Sequence, residues 1–131
     1  MSNKITLSLL GNPNCGKAAI FNLLSGLNQK VSNYPGITVE KKITQFTIEG
    51  EVELQLEDFP GAYSMIPQSL DEQIVSDTML DWIRDSKNRP DGIIYVADMT
   101  NLRRNLFGDC FWILLLSSLL IAVILDILLI F

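Results

Sequence analysis

"KITLSLLGNPNCGKAAIFNLLSG", residues 4–26, decides how the rest of the chain is read. Its opening alternates Ile5, Leu7 and Leu9 with Thr6 and Ser8, the period-two pattern of a half-buried strand, and ends at Gly11. Its close, "KAAIFNLLSG", is rich in Ala and Leu helix formers, carries Ile20, Phe21 and Leu24 on one face and stops at Gly26. Between them Gly11, Asn12, Pro13, Asn14, Cys15, Gly16 and Lys17 fit G-x-x-x-x-G-K, in the strand–loop–helix context that a phosphate loop requires. The glycines allow a tight turn that aims backbone N–H groups at one point, and the helix N-terminus adds partial positive charge. Lys17 supplies a full positive charge for the outer phosphates. The alternative is a strand-to-helix turn with a chance lysine; the context favours phosphate.

Working outward, residues 27–40, "LNQKVSNYPGITVE", are rich in turn formers and read as a loop. "KKITQFTI" and "EVELQLEDF" flank Glu49-Gly50, an antiparallel hairpin, with Val52, Leu54 and Leu56 facing one way and Glu53, Gln55 and Glu57 the other. "FPGAYSMIPQ" is irregular. "SLDEQIVSDTMLDWIRDSKN" opens with a capping box, Ser69 and Glu72, and continues with Val75, Met79, Trp82 and Ile83 on one helical stripe. "DGIIYVADMT" is a continuous apolar run, as expected of a central parallel strand covered on both faces. The order strand, helix, hairpin, helix, strand is an α/β layout.

The 131 residues suffice for one compact domain, and the formal net charge is −5. That balance argues against nucleic acid as a partner, which needs a clustered positive surface. Histidine is absent, so imidazole metal sites and histidine general bases are excluded. The two cysteines, Cys15 and Cys110, form no disulfide framework, and no signal peptide opens the chain, so the body reads as cytosolic.

Two weaker signals join the loop. Asp58-Phe59-Pro60-Gly61 ends the second hairpin strand, where Asp58 can hold magnesium through water and the Gly61 N–H can meet a terminal phosphate. A plain strand-ending turn uses the same residue types. Thr38 follows Pro35-Gly36 in the intervening loop and can close over the third phosphate and its metal; most loop threonines are merely solvated. The three in this order carry more weight than any one.

"GNPNCGKAAIFNLLSG", "NYPGITVEKK", "EDFPGAYSM", "SLDEQI" and "VADMTNLRRNL" together resemble the N-terminal G domain of the ferrous iron transport protein B (FeoB) family, over roughly residues 3 to 107. The resemblance implies a P-loop NTPase fold of the small G-domain kind, with GTP/GDP and Mg²⁺ bound and GTP slowly hydrolysed. It implies Fe(II) uptake only through transporter parts outside this chain, and a place at the cell membrane with the G domain on the cytoplasmic side. By the same match Gly11 to Ala18 cradle the α and β phosphates. Gly36, Ile37, Thr38, Val39 and Glu40 form the first switch, with Thr38 a metal ligand. Asp58, Phe59, Pro60 and Gly61 anchor the second, with Asp58 near the metal. Asn14 matches the asparagine that helps place K⁺ in potassium-stimulated relatives. Lys17, Asn14 and Thr38 are the catalytic candidates. A GTPase of the ribosome-assembly type is a weaker reading, against which the acidic charge and "GITVEKK" both count.

Two departures qualify that expectation. Ala18 stands where the pattern has a Ser or Thr hydroxyl for Mg²⁺, so binding is expected to be weakened and less magnesium-dependent, with hydrolysis hurt more. No Asn-Lys-x-Asp motif occurs, so guanine preference rests on the resemblance alone, and the G domain is expected to be incomplete. Residues 1–107 are thus expected to be a partial G domain and residues 108–131 an apolar tail. The stretch 110–131 is long enough, as a helix, to cross a hydrocarbon core of about 30 Å, with Arg103 and Arg104 as its cytoplasmic flank. A buried core helix and a disrupted reading frame are the alternatives. A non-catalytic membrane-anchored remnant is accordingly the rival to a working GTP-binding module.

Overall fold

The period-two run at the start of the chain becomes β1 (Asn3–Gly11), and the rest of the molecule is arranged around it. The computed structural model describes residues 3–13, 15–26, 29–63 and 66–97, and the backbone of 121–125. After β1 come α1 (Lys17–Ser25), β2 (Gln29–Asn33), β3 (Glu40–Ile48), β4 (Val52–Asp58), α2 (Leu70–Arg84), β5 (Gly92–Ala97) and β6 (Ile121–Leu125). The strands form one sheet in the order β2-β3-β4-β1-β5-β6. β1 runs parallel to β4 and β5, and β5 parallel to β6, while the β2–β3 and β3–β4 pairs are antiparallel.

The hairpin turns where its sequence indicates. Glu49 and Gly50 both have positive φ, 52° and 74°, and the Glu51 N–H donates to the Ile48 carbonyl at 3.2 Å. Two consecutive positive φ values match a type I′ turn, whose twist suits the flanking strands.

Each face of the sheet carries its own core. Leu9, Cys15, Ile20, Phe21, Leu54, Leu56 and Val96 pack on the α1 side. Leu10, Phe59, Ala62, Val75, Met79, Trp82, Ile93, Tyr95 and Ala97 pack on the α2 side, with the Phe59 and Trp82 rings edge-to-face at 5.7 Å. The run "GIIYVA" feeds both cores at once, which is why it shows no alternation.

Four expectations change. Residues 29–33, read as loop, are strand β2; every residue in it is exposed, so no apolar alternation marks it, and its backbone bonds to β3 hold it. Ile83 is exposed and Ile74 takes its place in the core, because α2 turns its Val75–Met79–Trp82 stripe onto the sheet. Leu24, placed on the buried face of α1, is exposed as well. The apolar helix expected through residue 131 does not run through 121–125, which pair with β5 as β6. A short apolar run rich in Ile and Val suits a strand as well as a helix segment, and periodicity cannot separate the two. The rest of that tail, with Cys110, lies outside the described residues. Among the described residues no helix is long and apolar enough to cross a membrane.

Candidate functional site

β1 delivers the chain to Gly11, and α1 begins six residues later behind Gly16, whose left-handed φ of 89° reverses the backbone. Gly16 has no side chain to cap the helix, and no acidic residue occupies the first turn. The start of α1 thus has no side-chain cap among the described residues, the condition under which a helix N-terminus takes an anion. Lys17, the first helical residue, is buried, and its ammonium lies 2.6 Å from Asp58 Oδ1. Both side chains keep only about a tenth of their surface, 10% and 11%.

The β1–β4 register brings Asp58 there, opposite Leu9. Beyond the strand, the Phe59 N–H donates to the Leu9 carbonyl and the Ala62 N–H to the Gly11 carbonyl, each at 3.1 Å. Gly61 packs directly on the phosphate loop: a Cβ there would meet Pro13 Cα at 2.7 Å. The Tyr63 hydroxyl donates to the Pro13 carbonyl at 3.4 Å. Glu72 holds the chain that follows. Its carboxylate accepts from the Gln68 N–H at 2.8 Å and the Tyr63 N–H at 3.2 Å. Half of the expected capping box is thus present, since Ser69 Oγ accepts from the Glu72 N–H while Glu72 reaches past the cap to steady the loop.

Thr38 arrives by a tight turn. The Ile37 N–H donates to the Tyr34 carbonyl at 3.2 Å across Pro35-Gly36, and Gly36 has φ 76°. Pro followed by a residue of positive φ is the signature of a type II turn. The turn sets Thr38, Val39 and Glu40 beside Lys17, Asp58, Phe59 and Pro60 around a cavity of about 510 Å³.

Seven of the residues singled out in the sequence therefore line one cavity. Gly11, Asn12, Pro13, Cys15 and Gly16 belong to the loop that leads into Lys17, and Ala18 is the exposed second residue of α1; Gly36 and Ile37 belong to the turn, and Gly61 to the Pro13 contact. The Asn12 side chain turns inward and accepts from the Tyr95 hydroxyl at 3.4 Å. Asn14 lies outside the described residues. Lys42, Leu70 and Asp71 also line the cavity and were missed. The available signal was alternation in β3, which puts Lys42 on the same face as Glu40.

The other face of β3 and β4 has separate chemistry. Lys41 meets Glu57 at 3.0 Å and lies 5.5 Å from the Tyr34 ring centroid. The Tyr34 hydroxyl is buried with no hydrogen-bond partner among the described residues. Burial, with smaller contributions from Glu57 and Asp58, holds its phenol well above the ordinary value. Tyr34→Phe is expected to leave stability at pH 7 unchanged or raise it by up to about 1 kcal/mol, since an unsatisfied hydroxyl is removed. Above about pH 10 the unfolded chain releases the phenol proton while the folded one keeps it, so stability falls as pH rises. Urea unfolding near pH 7 and about pH 10.5 should show a smaller loss in the Tyr34→Phe protein, and equal losses would assign the effect elsewhere.

Among the described residues no group of three or more His, Cys, Asp or Glu side chains gathers that could hold a metal ion. Thr38 and Asp58 line one cavity, and the side chain of Ala18 has no oxygen to add. That donor set fits an ion which keeps several waters and takes its other ligands from phosphates, as magnesium does. It supplies little to a cation that needs an all-protein cage.

A mixed sheet, parallel through β4-β1-β5-β6, with helices on both faces, a glycine-framed loop leading into α1, and Lys17 in a cavity with Asp58 and Thr38 define a P-loop NTPase of the small G-domain kind. The family model for Ferrous iron transport protein B matches residues 5–125, and the chain belongs to that family, as its N-terminal G domain. The Fe(2+) transporter FeoB of Methanocaldococcus jannaschii is 42% identical over 101 residues, covering 77% of this chain and 14% of that protein. That of Legionella pneumophila is 43% identical over 103 residues, covering 76% and 13%. The chain thus spans about one-seventh of the length of these relatives. The crystal structure of the G domain of the T. maritima FeoB iron transporter superposes with a TM-score of 0.81 at 36% identity, covering 96% of this chain and 74% of that one. A variant of S. thermophilus NFeoB bound to GDP gives 0.78 at 35%, covering 96% and 46%.

Proposed function

We propose that this chain binds a guanine nucleotide at the phosphate loop and hydrolyses GTP slowly, as the G domain of an Fe(II) transporter. The observation that carries the reading is the uncapped start of α1 with Lys17 beside Asp58 and Thr38 in one cavity. The loop N–H groups and Lys17 would hold the phosphates. Thr38 and Asp58 would face the magnesium ion, which supplies charge neutralisation at the terminal phosphate when bound. Asn14 is assigned to K⁺ by resemblance. Guanine is preferred because GDP occupies the S. thermophilus relative. Residues 1–107 carry the phosphate- and metal-facing groups in this reading. Iron would be handled by transporter parts beyond these residues, with the G domain on the cytoplasmic side of the cell membrane.

Titration with a fluorescent guanosine diphosphate, competed by unlabelled GDP and by ADP, tests it. Saturable binding displaced by GDP and not by ADP is expected, and displacement by neither removes the assignment. Ala18→Thr restores a hydroxyl for the ion and should tighten GTP about tenfold with magnesium present, equivalent to roughly 1.4 kcal/mol. An unchanged affinity would mean that residue 18 does not face the metal.

A further inference from the structure

Glu40 is followed by two lysines, and successive positions on β3 send their side chains to opposite faces of the sheet. Lys41 goes to the face where Glu57 meets it at 3.0 Å. Lys42 lines the Lys17 cavity, together with Glu40 two positions earlier. The β3–β4 register places Lys42 directly opposite Asp58. Cross-strand pairs of this kind hold their Cβ atoms roughly 5 Å apart on one face, well within reach of a lysine stem. Asp58 is nevertheless paired with Lys17 at 2.6 Å, and among the described residues the Lys42 ammonium makes only a long contact, 3.9 Å, with Glu40. Lys42 is thus a cation held in reserve beside an ion pair that polyphosphate must break.

We infer that Lys42 takes over the Asp58 carboxylate when polyphosphate draws the Lys17 ammonium away, so that nucleotide is held with little help from a divalent cation. The inference rests on the phosphate reading of the loop. Its physical basis is the cost of the alternative. Asp58 is nine-tenths buried, and a buried carboxylate stripped of its partner is strongly unfavourable. A metal ion ordinarily relieves such a group, but Ala18 contributes no oxygen to one here. The exchange moves no proton and breaks no covalent bond. Only the pairing of two ammonium groups with one carboxylate changes.

Binding of a fluorescent guanosine diphosphate to the full chain, with magnesium and with a chelator, tests the exchange. Unaltered protein should lose less than about threefold in affinity on chelation. Lys42→Gln should lose about tenfold in chelator and become magnesium-dependent, while Lys42→Arg stays within about threefold of the unaltered protein. The effect must also vanish with its partner: in an Asp58→Asn background, Lys42→Gln should change chelator affinity by less than about twofold. The inference is overturned if Lys42→Gln binds normally in chelator. It is equally overturned if the tenfold loss persists in the Asp58→Asn background, which would put Lys42 on the phosphates instead. Failure of the unaltered chain to bind under either condition would remove the nucleotide reading itself, and the exchange with it.

Discussion

Lys17→Ala is expected to weaken nucleotide binding by about a hundredfold, roughly 3 kcal/mol, and to destabilise the empty protein as well. The first effect is the loss of charge-assisted hydrogen bonds to the phosphates. The second follows from the 2.6 Å pair, because removing Lys17 takes away the close partner of a buried carboxylate and leaves only Lys42, opposite it on β3, to approach. Such losses run to about 3–5 kcal/mol in protein interiors. The residual exposure of both side chains, and the nearness of Lys42, bring the expected value to about 2–3 kcal/mol. Urea unfolding and nucleotide titration of the same preparation separate the two effects. Lys17→Ala combined with Asp58→Ala should recover most of the stability and none of the affinity. An affinity within about threefold of the unaltered protein would place the nucleotide away from this loop.

Gly61→Ala is expected to be nearly as damaging, for a steric reason. The added Cβ would sit 2.7 Å from Pro13 Cα and 2.8 Å from Pro13 N, both backbone atoms. No side-chain rotation relieves that contact, so the phosphate loop or the segment after β4 must move. Overpacking of this kind costs about 1–3 kcal/mol. Because the displaced atoms belong to the loop itself, at least about a tenfold loss of nucleotide affinity should accompany it. Gly36 makes the contrast: open space surrounds it, but its φ is 76°. Gly36→Ala should therefore cost only about 1 kcal/mol of backbone strain and leave the loop where it is. Chemical denaturation with nucleotide titration reads both variants. If Gly61→Ala bound nucleotide as well as Gly36→Ala, Pro13 would have no part in holding the loop.

These two residues also mark how far the sequence could be read. Lys17 is legible because its loop, strand and helix are contiguous, and the G-x-x-x-x-G-K spacing encodes them locally. The glycine of Asp-x-x-Gly is legible as a turn residue. Its packing on Pro13 is not, since that contact joins two loops nearly fifty residues apart and no periodicity relates them. Glu72 lies between these cases: its spacing from Ser69 announces a cap, but its carboxylate answers to the Tyr63 and Gln68 N–H groups that the fold brings near.

Residues 4–61 by themselves determined the strand–loop–helix, the hairpin at Glu49-Gly50 and the phosphate-facing motifs, because each depends on neighbours within a few residues, and the stretches spread over roughly residues 3 to 107 carried the family resemblance. The tertiary structure alone decided that Gln29–Asn33 pairs as an edge strand, that Ile121–Leu125 enters the sheet beside β5, and that Ile83 stays outside the core. It also decided that Lys17 rests on Asp58 with Lys42 opposite. Backbone pairing and buried charge are satisfied by whatever segment the sheet order places next to them, and 41 residues of chain separate Lys17 from Asp58. A pattern confined to one strand or one turn holds no record of that neighbour.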